Sequence, residues 1–301
     1  MSKNPAFIAH LAMILFAALV AGSFSFGALA APHIGPSALN ALRFLLGCCV
    51  MAGVAAALRT PLKLPAAPWR FALLGALMAV FFITMFVALK LTDPVSTGAV
   101  FTTMPVMSTL FGRLLLGQRI TPRVGLSLAL AFAGAVWVVF GGDLAAIRAF
   151  DLGPGETIFL LGCAGHALYA PMVRKLNRGE PTILFTFWTL VATLVLIATW
   201  GAGEIAATDW LALPPVVYAA VAYLAVFTTA GTFFLVQFAA LRLPASKVLS
   251  YTYATPVIII ALEGLLGHGW AKPPILAGAA VIVAALAVLA FSSDRATANT
   301  R

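Results

Sequence analysis

The sequence predicts an all-α integral membrane protein, with ten transmembrane helices arranged as two inverted-topology five-helix repeats. Three observations predict this class. The 301 residues are 62% apolar and only 9% charged, where soluble chains are about 45–50% apolar and about 25% charged. The apolar residues gather into ten runs, each near the roughly 20 residues a helix needs to span a bilayer. Features of the first five runs recur, in order, in the second five.

The first run, 6–30, follows Lys3 and ends at Ala28-Leu29-Ala30, which imitates a signal peptide and its cleavage site. Its apolar stretch is longer than a signal core of about 7–15 residues, so it is read as a retained first span. The remaining runs cover 36–58, 68–90, 94–116, 122–141, 154–174, 181–202, 212–240, 244–267 and 273–292. Pro36, Pro68, Pro94, Pro122, Pro181, Pro214 and Pro273 stand near the proposed starts, where a missing N–H costs a helix little. The mean hydropathy of +1.06 fits such a chain.

The net charge of +9 would suggest a nucleic-acid partner in a soluble domain. Here its distribution is a topology record. With the N-terminus placed in the cytoplasm, fourteen of the 18 basic residues lie on that side: Lys3, Arg59, Lys63, Arg70, Arg113, Arg119, Arg123, Arg174, Lys175, Arg178, Arg242, Lys247, Arg295 and Arg301. Lys90, Arg148 and Lys272 lie outside, with Asp93, Asp143, Asp151, Glu156, Glu204 and Asp209. The positive-inside rule selects this orientation, with both termini cytoplasmic. No nucleic-acid partner is expected. Cys48, Cys49 and Cys163 all lie in apolar runs, with no disulfide framework and no zinc spacing. No Gly-rich P-loop is present to power an ATP-driven pump. No cofactor and no metal site are expected.

The repeat is carried by short blocks. Phe86-Val87-Ala88-Leu89-Lys90-Leu91 matches Phe238-Ala239-Ala240-Leu241-Arg242-Leu243, and each is followed by an intramembrane Pro-Val at Pro105 and Pro256. Pro36-x-x-Leu39 with Leu45 likewise matches Pro181-x-x-Leu184 with Leu190. Five spans is an odd number, so the second copy is inverted and Lys90 and Arg242 face opposite sides. The halves divide as 1–148 and 149–301. Two similar halves related by an axis in the membrane plane can exchange conformations, as alternating access requires.

On these residues the chain resembles the drug/metabolite transporter superfamily, in particular its ten-span exporters with two EamA-type repeats. The resemblance covers essentially the whole chain. Arg43, Gly125, Gly134 and Gly278 also fit it, and among members it is most similar to bacterial exporters of amino acids, including aromatic ones. One departure is that the family often has Glu near the cytoplasmic end of span four, where this chain has Gln118; after span nine it reads Gly267-His268-Gly269. The resemblance implies a central cavity lined by spans 1, 3, 4, 6, 8 and 9, with spans 5 and 10 as outer scaffold. It implies a small-molecule substrate, and the lipid bilayer as surroundings; monomer and dimer both remain open.

The residues themselves indicate where a substrate would bind. A helix proline frees the carbonyl four residues earlier, so Pro105 and Pro256 are read as hinges that release the carbonyls of Phe101 and Thr252. The candidate substrate-binding residues are Ser23, Phe82, Thr84, Phe101, Thr102, His166, Tyr169, Thr228, Thr232, Gln237, Tyr251, Thr252 and Tyr253. Each has a plainer reading as well: a satisfied interior histidine, a threonine bonded back to its own helix, an aromatic of the core. Arg43 and Glu263 are the two charged side chains read as lying within the membrane, and the cost of burying either alone suggests that they pair. Only His166 and Glu263 could carry a coupled proton, so facilitated transport and proton antiport stay open. A proton-coupled drug carrier, or a sugar or phosphate-metabolite carrier, is the alternative reading. The scattered acids argue against an intramembrane enzyme.

Overall fold

A computed structural model describes residues 5–30, 32–88, 91–92, 100–150, 152–265 and 270–291, without the side chains of 23–25, 27–29, 259, 262–265 and 291. Among them the chain is helical with no strand. The helices are α1 (Pro5–Ala30), α2 (Pro36–Ala57), α3 (Trp69–Ala88), α4 (Met104–Leu116), α5 (Pro122–Val139), α6 (Leu144–Arg148), α7 (Pro154–Leu176), α8 (Thr182–Trp200), α9 (Ala202–Ala207), α10 (Pro215–Ala225), α11 (Thr232–Ala240), α12 (Ala245–Val248), α13 (Ala254–Leu265) and α14 (Pro273–Phe291). A π turn, Val226–Gly231, joins α10 to α11, and a 3-10 segment, Leu249–Tyr253, joins α12 to α13.

Eight stretches among the described residues are long and apolar enough to cross a membrane, and Met104–Leu116 is a shorter apolar helix. Proline is the recurrent start signal. It opens α2, α5, α7, α10 and α14, and Pro181 is the residue before α8. At these places its fixed φ suits the first turn, and no hydrogen bond is lost. The runs read as spans four and nine are interrupted helices. Turns at Thr102 and Thr103 precede α4, and the 3-10 segment precedes α13. In each case the regular ladder breaks just before the proline, as a missing donor dictates. Residues 93–99, including Pro94, and residues 89–90, including Lys90, lie outside the described residues, as do Lys3 and the Gly267-His268-Gly269 stretch.

The two parts of the chain interleave. Helix α3 packs on α7 and α8, α4 on α7, and α2 on α8; α1 packs on α10, α11 and α13, and α2 on α10; α5 packs on α14. The main core lies where α2, α3, α7 and α11 meet, around Phe44, Phe81, Phe82, Tyr169 and Phe233. A separate core of Val124, Leu128, Ala131, Tyr253 and Ile282 holds α5 against α14. Small residues set the closest approaches. A Cβ at Gly134 would lie 3.0 Å from Ile282 and 3.1 Å from the Gly278 carbonyl. At Gly75 a Cβ would lie 2.8 Å from the Ala192 backbone carbon on α8.

Gly75→Val therefore drives α3 off α8. Overpacking of this kind costs about 1–3 kcal/mol, and the detergent-solubilised variant is expected to melt at a lower temperature than wild type. Gly53→Ala, where a Cβ would meet nothing within 4 Å and a helical glycine is replaced by a better helix former, is expected not to lower the midpoint.

Candidate functional site

The middle of the bundle holds a group of aromatic rings contributed by several helices. Phe82 on α3 meets Phe44 of α2 edge-on at 5.1 Å and stacks with Phe233 of α11 at 6.4 Å. Tyr169 of α7 lies 5.8 Å from Phe233. His166, one turn earlier on α7, sets its ring edge-on against Phe81 at 4.6 Å and lies 6.4 Å from Tyr169. Phe101 borders the group, 6.5 Å from Phe81. These are the offset and edge-to-face arrangements that aromatic quadrupoles favour. His166 is 8% exposed, and its Nδ1 has no hydrogen-bond partner. Beside it runs a satisfied polar chain: Thr186 Oγ1 donates to Gln237 Oε1 at 2.6 Å, and Gln237 Nε2 donates to the Tyr169 hydroxyl at 2.6 Å.

Arg43 lies against the π turn. Its Nε donates to Thr229 Oγ1 at 2.9 Å, and its Nη2 donates to the Thr228 carbonyl at 3.3 Å and to Thr228 Oγ1 at 3.2 Å. The guanidinium also stands 4.6 Å from the centre of the Phe82 ring, within cation–π range. A π turn shifts the helical hydrogen-bond ladder by one residue, and such turns gather at functional positions. Here the Thr228 carbonyl is turned to the arginine and also accepts from Thr232 Oγ1 at 2.8 Å. Gly47 permits the approach, since a Cβ there would lie 3.1 Å from Thr229 Cγ2. The pairing expected between Arg43 and Glu263 lies outside the described residues at its Glu263 side chain.

Polar links also tie segments distant in sequence near the helix ends. Arg70, 1% exposed, donates from Nη1 to the Leu176 carbonyl at 2.6 Å and from Nη2 to Glu180 Oε1 at 2.5 Å. Near the start of α2, Glu204 Oε1 accepts the N–H groups of Ser37 at 2.8 Å and Ala38 at 3.1 Å, two of the donors a helix start leaves open. Gln118 does the same for α12, its Oε1 accepting the Ala245 N–H at 3.0 Å. Thr92 donates to Glu156. Arg70 and Lys247, counted from sequence among the cytoplasmic charges, are both buried in the protein, as is Glu156. Packing between helices, invisible to a charge count, encloses them.

The model of the EamA-like transporter family matches residues 7–140 and again 153–291. The chain belongs to the EamA-like transporter family. It is 23% identical over 185 residues to the uncharacterized transporter YyaM of Bacillus subtilis (strain 168), and the match spans 60% of each chain. A solved crystal structure of a protein 24% identical in sequence shares the fold, with a TM-score of 0.73, over 96% of this chain and 97% of that one.

In this EamA-family bundle the residues expected at a site separate into groups. Phe82, His166, Tyr169 and Gln237 come together, with Phe101 at the edge. Thr228 and Thr232 lie on and beside the π turn at Arg43. Thr84 instead bonds back to the Val80 and Phe81 carbonyls and faces Gly162. Thr252 bonds back to the Leu249 carbonyl at 2.7 Å. Tyr251 meets His10 of α1, hydroxyl to Nδ1, at 2.8 Å. Tyr253 sits in the α5–α14 core, away from the aromatic group. Thr102 is buried at the break before α4. Pro105 is in the first turn of α4, and Pro256 is the third residue of α13. The Ser23 side chain lies outside the described residues. The candidate set read from sequence omits Thr229, Thr186, Phe81, Phe233 and His10. Thr229 and Phe81 stood beside its members as a polar and an aromatic residue of spans eight and three, and His10 carried the signal of an ionisable residue inside an apolar run.

The Arg70–Glu180 pair makes a pH prediction. Partial burial pushes the Glu180 carboxyl up, but the hydrogen bond from Arg70, the N–H of Arg178 and the charge of Arg70 outweigh it, and its pKa falls below the ordinary value. A depressed folded pKa stabilises the fold above the unfolded value of about 4.3, and the contribution is lost as pH falls through the folded value. Acidification from neutral to below about 4 is expected to lower the melting temperature more in wild type than in Glu180→Gln. Equal slopes for the two proteins would count against the pair.

Proposed function

We propose that this chain exports amino acids, neutral or aromatic ones foremost, or similar small metabolites across the bacterial inner membrane by alternating access. The observation that carries the reading is the aromatic group on α3, α7 and α11, with the Nδ1 of His166 buried among the rings and unpaired. An aromatic or apolar side chain would stack there, and its polar end would complete the histidine. Phe101, Thr228, Thr232, Tyr251 and Thr252 are proposed to line the path beside this group, with Ser23, Phe82, Thr84, Thr102, Tyr169, Gln237 and Tyr253 in the same candidate set.

Ten spans are proposed, the eight long apolar helices joined by the interrupted runs that end in α4 and α13. The halves are 1–148 and 149–301, inverted in topology, with both termini cytoplasmic. The packing supports a paired plan. The contact of α3 with α7 has its counterpart in that of α10 and α11 with α1. The contact of α4 with α7 has its counterpart in that of α13 with α1, while α2–α8 and α5–α14 each join equivalent helices. Pro105 and Pro256 occupy equivalent places in this plan and serve as hinges. An Arg43–Glu263 interaction remains part of the proposal, as a link additional to the threonines. A phosphate-metabolite carrier would want an uncommitted cation, whereas Nε and Nη2 of Arg43 are held by Thr228 and Thr229.

The test is efflux from proteoliposomes loaded with Phe, Trp, Thr, Met or Lys. Saturable efflux of Phe and Trp, exceeding that of Lys, is expected. His166→Ala is expected to weaken the apparent affinity by about tenfold, the value of one hydrogen bond near 1.4 kcal/mol. No saturable movement of any amino acid would overturn the reading. Repeating the assay with an imposed proton gradient separates antiport, which the gradient accelerates, from facilitated export, which it leaves unchanged.

A further inference from the structure

Apart from the aromatic group, a cavity of about 140 Å³ lies between α2, α3 and the corner joining α8 to α9. Ile83 and Val87, one turn apart on α3, give it an apolar wall; Asn40, Glu204 and Trp200 also line it. Asn40 is fully buried, yet neither Oδ1 nor Nδ2 has a hydrogen-bond partner. An unpaired buried amide is costly, and here neither its donor nor its acceptor is met. Glu204 uses Oε1 to hold the start of α2. Trp200, the last residue of α8, is 74% exposed, as expected of an indole at a membrane–water interface. The cavity is below the roughly 300–1,000 Å³ of drug-sized sites and holds about five waters at the liquid share.

We propose that this cavity is a lateral binding site for the primary ammonium headgroup of an aminophospholipid. With the Asn40 side chain turned toward the cavity, the ammonium donates to Asn40 Oδ1 and to the Glu204 carboxylate beside the Trp200 ring, a favourable place for a cation. The phosphodiester oxygen next to it accepts from Asn40 Nδ2, and the chains run along Ile83 and Val87. A free amine would satisfy Oδ1 and Glu204 but leave Nδ2 open; the zwitterion satisfies both ends of the amide. The site does not depend on which solute the protein carries.

The experiment is native mass spectrometry of the full chain, delipidated and then titrated with phosphatidylethanolamine, phosphatidylcholine or phosphatidylglycerol, and separately with ethanolamine. Phosphatidylethanolamine is expected to bind one equivalent about tenfold more tightly than phosphatidylcholine, whose quaternary nitrogen has no N–H to donate. Glu204→Gln retains an oxygen to cap α2, and Asn40→Leu keeps the branched side-chain shape while removing both polar atoms. Each is expected to reduce phosphatidylethanolamine binding to the phosphatidylcholine level. Unchanged binding in Glu204→Gln would overturn the proposal even if Asn40→Leu failed to fold. Equal binding of the three lipids would do so too, as would ethanolamine binding as tightly as the lipid, which would assign the site to a free amine.

Discussion

Inside a membrane bundle no water stands ready to complete a polar group, so each one must be satisfied by protein. That constraint organises the structure. The hydroxyls of Thr189, Thr193 and Thr228 return to their own helices, to the carbonyls of Phe185, Thr189 and Leu224 at 2.7, 2.8 and 3.0 Å. Gln237 is held from both sides by Thr186 and Tyr169. Arg43 is accommodated because the π turn presents a carbonyl and two hydroxyls together. Against this background, an unfinished buried group is informative. His166 Nδ1 and the Asn40 amide are two such groups, the first in a field of aromatic rings and the second in a small cavity by a tryptophan.

The middle and the ends of the bundle are held differently. The middle is apolar contact and close helix crossing, with Gly75 and Gly134 at the closest approaches. Near the helix ends the two halves are joined by single carboxylates and amides: Glu180 to Arg70, Glu204 to the start of α2, and Gln118 to the start of α12. Hydrogen bonds exchangeable with water are the kind of link that can open and reclose without repacking a core. This division suits the proposed exchange between two states. It also gives Gln118 a positioning task that an uncharged amide performs.

Much of the fold was legible in the sequence because lipid imposes length and composition on each span. Six of the eight long apolar helices fall within the runs read from hydropathy, while Pro5–Gly22 and Pro154–Leu176 overrun theirs by a residue or two; Pro36, Pro122 and Pro273 mark true starts, and Pro214 is the residue before α10. The breaks before Pro105 and Pro256 were legible too, because a missing N–H acts locally. The π turn was not, since shifting a ladder by one residue leaves apolar periodicity almost unchanged over Thr228–Gly231. The aromatic group was half legible. Phe81, Phe82, His166, Tyr169 and Gln237 stood out as polar or aromatic residues in spans, while Phe233 looked like any core ring. Tyr253 read like its neighbour Tyr251 because only helix rotation sends one to α1 and the other to the α5–α14 core. The links of Arg70, Glu204 and Gln118 join residues more than a hundred positions apart, which no local pattern encodes.

In the alternating access proposed for this chain, the link between α4 and α12 opens during each cycle. A Cβ at Gly112 would lie 2.8 Å from the Ala245 Cβ, close enough for a disulfide after a small adjustment toward the usual separation of about 3.8 Å. The direct measurement is amino acid efflux by the Gly112→Cys, Ala245→Cys double variant, in a background lacking Cys48, Cys49 and Cys163. Oxidation is expected to abolish efflux and a reductant to restore it, with each single variant indifferent to both. Undiminished efflux from fully cross-linked protein would contradict alternating access at this end of the bundle.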